Sequence, residues 1–183
     1  MKPPNIHTKN CIIKIPDISH TSLLCDFYSS NKDNFKAWEP ERNVEFYTLD
    51  YWQSQIQLSN HLFKQKQAVK MIALNKDECQ IIGTCNFSNI VFGCFLACHL
   101  GYAIDKSFEG KGFMYEIINA GIKYMHDEFK LHRIMANHIT NNHRSEKLLT
   151  RLGFEKEGYA KDYLKINGKW QDHILNSLVL PSK

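Results

Sequence analysis

The sequence predicts a mixed α/β domain of the α+β kind, a sheet flanked by helices, and three observations carry that expectation. Met114, Ile117, Ile118, Gly121, Ile122, Met125 and Phe129 recur at three- and four-residue steps, the period of a helix with one buried face. Three apolar, β-rich runs at 68–74, 80–91 and 94–104 are separated by short polar or glycine-containing stretches, as in an antiparallel meander. Asn167-Gly168, set between two further β-rich runs, is the strongest two-residue signal for a hairpin.

Taken in order, residues 11–15 read as a short strand ended by Pro16. A helical pattern runs from 18 to 28 in Leu23, Leu24, Phe27 and Tyr28. Residues 36–40 are irregular, because Pro40 keeps Glu39 out of the helical region. A second helix is expected over 48–66, then the three strands, then the helix that begins near Met114. Residues 133–139 form another strand and 142–152 another helix, which Gly153 stops. The chain closes with the hairpin 154–166 and 169–180. Seven strands are therefore expected. No linker or charge run divides the 183 residues, so one domain over 1–183 is expected.

Composition excludes several classes. Hydrophobic residues at 43% and charged residues at 23% are ordinary for a folded globular chain, so disorder is not indicated. Apolar runs fall far below the roughly 18 residues a membrane span needs. The first residues lack the apolar core of a secretory signal, so a cytoplasmic protein with no membrane partner is expected. The six cysteines lie in apolar stretches without a Cys-x-x-Cys pair and read as buried reduced thiols. The nine histidines show no zinc-ligand spacing, so no metal is expected. A net charge of +4, with scattered basic residues, implies no direct requirement for nucleic acid.

The run Glu109-Gly110-Lys111-Gly112-Phe113-Met114 stands between a strand-like stretch and the long helix. The first N–H groups of a helix lack intrahelical partners and sit at the positive end of its dipole, so such a turn can hold an anion. Glycines let the backbone curl and approach closely, and Lys111 adds charge. A tight surface turn with a cap is the alternative. The run is not a nucleoside-triphosphate P-loop, and Tyr115 stands where a dinucleotide fingerprint has its third glycine.

The element order, with Leu100-Gly-Tyr-Ala-Ile-Asp105, Gly110-Lys-Gly112, Asn142-His-Arg-Ser145 and Arg151-Leu-Gly-Phe154, resembles the GNAT N-acetyltransferases over nearly the whole chain. Within them, Lys36-Ala-Trp-Glu-Pro40, 132–137 and 153–163 resemble the ribosomal-protein-alanine branch. The resemblance implies transfer of acetyl from acetyl-CoA, as cosubstrate, to the N-terminal alanine of a small-subunit ribosomal protein, free or on the assembling ribosome. It also implies a splayed central sheet. The pantetheine would lie along Leu100, Gly101, Tyr102 and Ala103, and the pyrophosphate on Gly110 to Met114. Glu109 departs from the family's usual Gln or Arg and is expected to point outward, since a carboxylate beside pyrophosphate repels it.

Acyl transfer needs a neutral amine. An α-amino group with a pKa near 7.8 is about 10–15% neutral at pH 7 and a lysine about 0.04%, a difference of roughly 3.5 kcal/mol. An N-terminal acetyltransferase can thus work with a weak base. By the resemblance, Ser145 is the catalytic candidate facing the thioester and Asn142 bonds the pantetheine, whereas capping alone would make Asn142 an N-cap and Ser145 a first-turn residue. Glu39 is the candidate to receive the acceptor's ammonium or draw off its proton, with Trp38 walling the channel and Tyr159 a further substrate contact; a surface loop with one packed Trp is the alternative. Glu116 is the other catalytic carboxylate, unless it only complements the helix dipole. Two other functions share these features: a non-enzymatic ribosome-associated module that binds CoA, and a small-amine or antibiotic acetyltransferase.

Overall fold

Eight strands build one sheet in this computed structural model, which describes residues 2–181. They are β1 (Asn5–His7), β2 (Ile12–Lys14), β3 (Val69–Leu74), β4 (Ile81–Val91), β5 (Ala97–Ile104), β6 (Arg133–Ile139), β7 (Glu155–Ile166) and β8 (Lys169–Val179). The order across the sheet is β1-β2-β3-β4-β5-β6-β8-β7. The strand absent from the sequence expectation is β1, three residues with no apolar alternation to mark it, which pair antiparallel with β2.

The helices are α1 (Thr21–Ser30), α2 (Lys32–Phe35), α3 (Leu49–Lys64), α4 (Phe113–Phe129) and α5 (His143–Arg151). Helix α1 starts later than expected because Ile18–His20 is a 3-10 turn, capped by the Asp17 side chain on Ser19 N–H. Thr48 caps α3 through its hydroxyl, which accepts from Tyr51 N–H at 3.3 Å. The β7–β8 turn has φ of 44° at Asn167 and 76° at Gly168, the two positive values that a type I′ hairpin demands. Its tip is anchored: Asn167 N–H donates to the Glu39 carbonyl at 3.1 Å.

The two sheet faces carry separate cores. Cys85, Phe87, Cys98 and Leu100 pack with Ile117, Ile118, Ile122, Met125 and Leu149 of α4 and α5. On the opposite face Ile72, Leu74 and Ile81 meet Leu24, Phe27, Tyr28, Phe46, Trp52 and Ile56. All six cysteines are free, but Cys79 and Cys94 are exposed rather than buried, because both lie in turns between strands. Among the described residues no helix is long and apolar enough to cross a membrane, and no group of three potential ligands could hold a metal ion.

Candidate active site

Every neighbouring strand pair runs antiparallel except β5 and β6, which are parallel and pair only through Ala97–Arg133, Cys98–Ile134 and His99–Met135. Beyond these rungs the strands part, opening the expected V. Leu100 to Ile104 remain laddered to β4 on one edge, opposite Phe87 to Gly83, and have no ladder partner on β6. Their free main-chain groups must find another partner.

The free edge runs into the glycine turn. Asp105 accepts from Ser107 N–H at 2.8 Å, and Asn31 at the end of α1 bonds both Asp105 (2.9 Å) and Lys106 N–H (2.9 Å), fixing the loop. Gly110 has φ +72° and Gly112 φ +85°, conformations that strain any other residue. A Cβ at Gly101, Gly110 or Gly112 would meet nothing within 4 Å. Gly112 begins α4 without a side-chain cap, so the helix's first N–H groups are not taken up by one. Open space, uncapped donors and a dipole end therefore coincide, which fits an extended ligand ending in an anion. Phe113 packs edge-on against Phe108 at 5.2 Å, and Met114 is buried.

Glu109 does not point outward. Its carboxylate pairs with Arg144 at the start of α5 and accepts from Asn34 Nδ2 at 3.0 Å. The reason is electrostatic: the pair neutralises the acid beside the turn and ties the two sides of the V together. Lys111 is turned back, with Nζ donating to the Ser107 carbonyl at 2.7 Å.

Helix α5 brings Ser145 to β5. Asn142 Oδ1 accepts from Ser145 N–H at 3.1 Å, so Asn142 caps α5, and Ser145 Oγ lies 2.6 Å from the Tyr102 hydroxyl. Burial pushes the Tyr102 phenol up to about 12, with the Ser145 bond pulling the other way, so the phenol keeps its proton. Sequence reasoning valued only the Tyr102 backbone and missed this hydroxyl pair.

The other candidates scatter. Glu116 accepts from Asn10 N–H (2.8 Å) and Nδ2 (2.6 Å). Partial desolvation raises its pKa, but the hydrogen bonds from Thr8 and Asn10 and the charge of Lys76 outweigh it and hold the carboxyl below its ordinary value. It ties α4 to the β1–β2 turn and is not part of the hydroxyl pair. Glu39 lines a cavity of about 250 Å³ with Tyr28, Arg42, Tyr47 and Asn167. Burial pushes its carboxyl up, against the pull of Arg42 Nη2 at 3.2 Å. Trp38 is 40% exposed and lines neither this cavity nor the one beside it. Tyr159 is 56% exposed and donates to Asp172 on β8. His99, unremarked in the sequence, stands at the last β5–β6 rung with Nδ1 buried and unpartnered, its pKa held below the histidine norm by burial.

Residues 16–155 match the model of the acetyltransferase (GNAT) domain. The chain belongs to the GNAT acetyltransferase family. It is 48% identical to the [ribosomal protein uS5]-alanine N-acetyltransferase of Escherichia coli (strain K12) over 174 residues, 95% of this chain and 90% of that protein. The crystal structure of ribosomal-protein-S5-alanine acetyltransferase from Vibrio fischeri superposes with a TM-score of 0.92 at 36% identity, covering 96% of each chain. RimJ of Mycobacterium smegmatis, solved in complex with CoA-disulfide, gives a TM-score of 0.87 over 92% of this chain and 81% of that one; at 20% identity this is a likeness of fold. The GNAT match explains the parted strands and the glycine turn together.

Proposed function

We propose that this protein is an N-terminal acetyltransferase that moves acetyl from acetyl-CoA to the N-terminal alanine of a small-subunit ribosomal protein, free or on the assembling ribosome, in the cytoplasm. The observation that carries the reading is the parting of β5 from β6 after His99 and Met135, which leaves 100–104 with a free edge leading into the Gly110–Gly112 turn. The near-complete match to the E. coli enzyme supports the acceptor.

Acetyl-CoA supplies the activated acyl group. Leu100 to Ala103 offer main-chain groups to its pantetheine, and the N–H groups from Gly110 to Met114 take its pyrophosphate. Arg144 keeps Glu109 from repelling that anion. The Tyr102 and Ser145 hydroxyls share one hydrogen bond; with Tyr102 as its donor, the Ser145 hydroxyl is free to protonate the sulfur as the thiol departs, and Ser145 regains a proton from solvent. Glu39 receives the proton that the α-amine sheds after attack; its raised pKa makes it a better base than an exposed carboxylate. Asn142 acts by capping and aiming α5.

The test is to incubate the protein with acetyl-CoA and, separately, an Ala-starting peptide, an internal-lysine peptide and a polyamine, and to follow CoA release. Transfer to the Ala peptide is expected. Transfer to lysine or polyamine alone would overturn the proposal, and no transfer to any acceptor would favour a binding module.

A further inference from the structure

A second cavity, of about 190 Å³, lies on the sheet face that carries α1 and α3. Tyr28, Arg42 and Phe46 form the wall it shares with the Glu39 cavity. Lys70 of β3 and Thr84 and Asn86 of β4 line it, opposite Trp52 and Gln55 of α3.

Its chemistry is one-sided. Two cations, Arg42 and Lys70, line it, and no Asp or Glu does. Arg42 is compensated from the neighbouring cavity by Glu39 at 3.2 Å. Lys70 has no ion pair or hydrogen bond among the described residues, and burial alone, with no carboxylate acting on it, holds its pKa below the lysine norm. Two wall residues also carry buried polar atoms without partners. Trp52 Nε1 is one, and an indole N–H can only donate. Thr84 Oγ1 is the other by strict geometry, although it lies near enough to the Tyr28 hydroxyl to act on it as a hydrogen-bond partner. A half-buried cation without a counter-ion and a buried indole N–H without an acceptor are costly unless something accepts from them.

Position ties the cavity to the reaction. Lys70 opposes Asn86, and Asn86 opposes Gly101, so the three lie in one row across β3, β4 and β5. Opposed residues of antiparallel strands share a face, and strands lie about 4.8 Å apart, so Lys70 is roughly 10 Å along the sheet from the free edge at Gly101. About three extended residues cover that distance.

We infer that this cavity takes a carboxylate side chain of the acceptor, borne by one of the few residues that follow the acetylated one, with Lys70 as its counter-ion. The inference rests on the N-terminal acetyltransferase reading and adds a specificity to it. Acidic N-terminal sequences are selected, and polyamines, which would bring more positive charge beside Lys70, are rejected.

The experiment scans Glu, Gln and Lys through positions 2–5 of an Ala-starting peptide, measuring kcat/KM with acetyl-CoA and, independently of turnover, peptide affinity by intrinsic tryptophan fluorescence. At one position Glu should exceed Gln by about tenfold and Lys should fall below both, in both measurements. Lys70→Met should bring the Glu-to-Gln ratio to about one, and Lys70→Arg should restore it. Equal values for the three residues at every position would overturn the inference, as would a Glu preference that survives Lys70→Met. Free glutarate distinguishes the source of the carboxylate. Competition only against Glu peptides supports an acceptor side chain, whereas equal competition against Glu and Gln peptides would assign the cavity to a free anion and overturn the assignment. Acetylation of Gln peptides without any Glu preference would sink this inference alone; a Glu-dependent affinity without turnover would sink the enzymatic reading alone.

Discussion

The two faces of the sheet solve different problems with different residues. The face under α4 and α5 is aliphatic and sulfur-rich, closed at Gly83 and Gly121, where a Cβ would come within 2.7 Å of Ala103 O and 2.9 Å of Phe87 Cε2 respectively. The face under α1 and α3 is a mesh of rings: Tyr28 stacks on Trp52 at 4.6 Å and meets Phe46 edge-on at 5.1 Å. On the ring face a cavity remains beside Trp52, whose Nε1 has no acceptor. The first face is closed by backbone contact and tight packing. The second keeps a cavity of about 190 Å³, which the proposal above fills with a side chain of the acceptor.

The largest expected effect tests the first face at its hydroxyl pair. Ser145→Ala should lower kcat about 100-fold with little change in KM for acetyl-CoA, and Tyr102→Phe about tenfold, since it only orients Ser145. A wild-type kcat for Ser145→Ala would remove the pair from the chemistry. Packing comes next. Gly83→Ala should cost about 2 kcal/mol in urea unfolding because the clash is with backbone, whereas Trp52→Phe on the ring face should change stability by less than about 1 kcal/mol, lost volume offsetting a relieved donor. Equal costs would erase the distinction between the faces. Arg144→Ala should weaken CoA binding about fivefold by leaving Glu109 uncompensated, and adding Glu109→Gln should restore it; failure of the double variant to recover would show that Arg144 binds the anion itself.

The smallest effect is one of pH. Burial raises the folded-state pKa of Glu39, so the native state holds that proton more tightly than the unfolded chain does. The resulting penalty is absent below the ordinary value of 4.5 and complete above the raised one. Glu39→Gln should therefore raise Tm by about 1–3 °C at pH 8 and leave it unchanged at pH 4. An equal change in Tm at pH 4 and pH 8 would show that burial of Glu39 carries no ionisation cost.

Periodicity and turn chemistry reveal local structure, and they made α3, α4, β6 and the Asn167-Gly168 hairpin legible. Strand β1 was not, because three residues that gain order only by pairing with β2 leave no pattern of their own. At the site, Gly110 and Gly112 were readable, since the freedom to adopt positive φ belongs to glycine itself. The partners were not. Arg144 meets Glu109 and Ser145 meets Tyr102 across separations of 35 and 43 residues, and only the topology makes them neighbours. Glu116 is a parallel case: its place at the start of α4 was visible, but its partner Asn10, 106 residues away in sequence, was not.

The three rungs between β5 and β6 have a mechanical consequence. The sheet is two plates, one of five strands and one of three, joined by a weld as short as the smallest strands in the molecule. Whatever fills the gap above the weld acts as a keystone, and by mass action it lends the fold RT ln(1 + [L]/Kd) of resistance to unfolding. If acetyl-CoA is that occupant, as proposed above, its supply and the stability of the fold rise together, and exchange of the amides of 100–104 with solvent reads both.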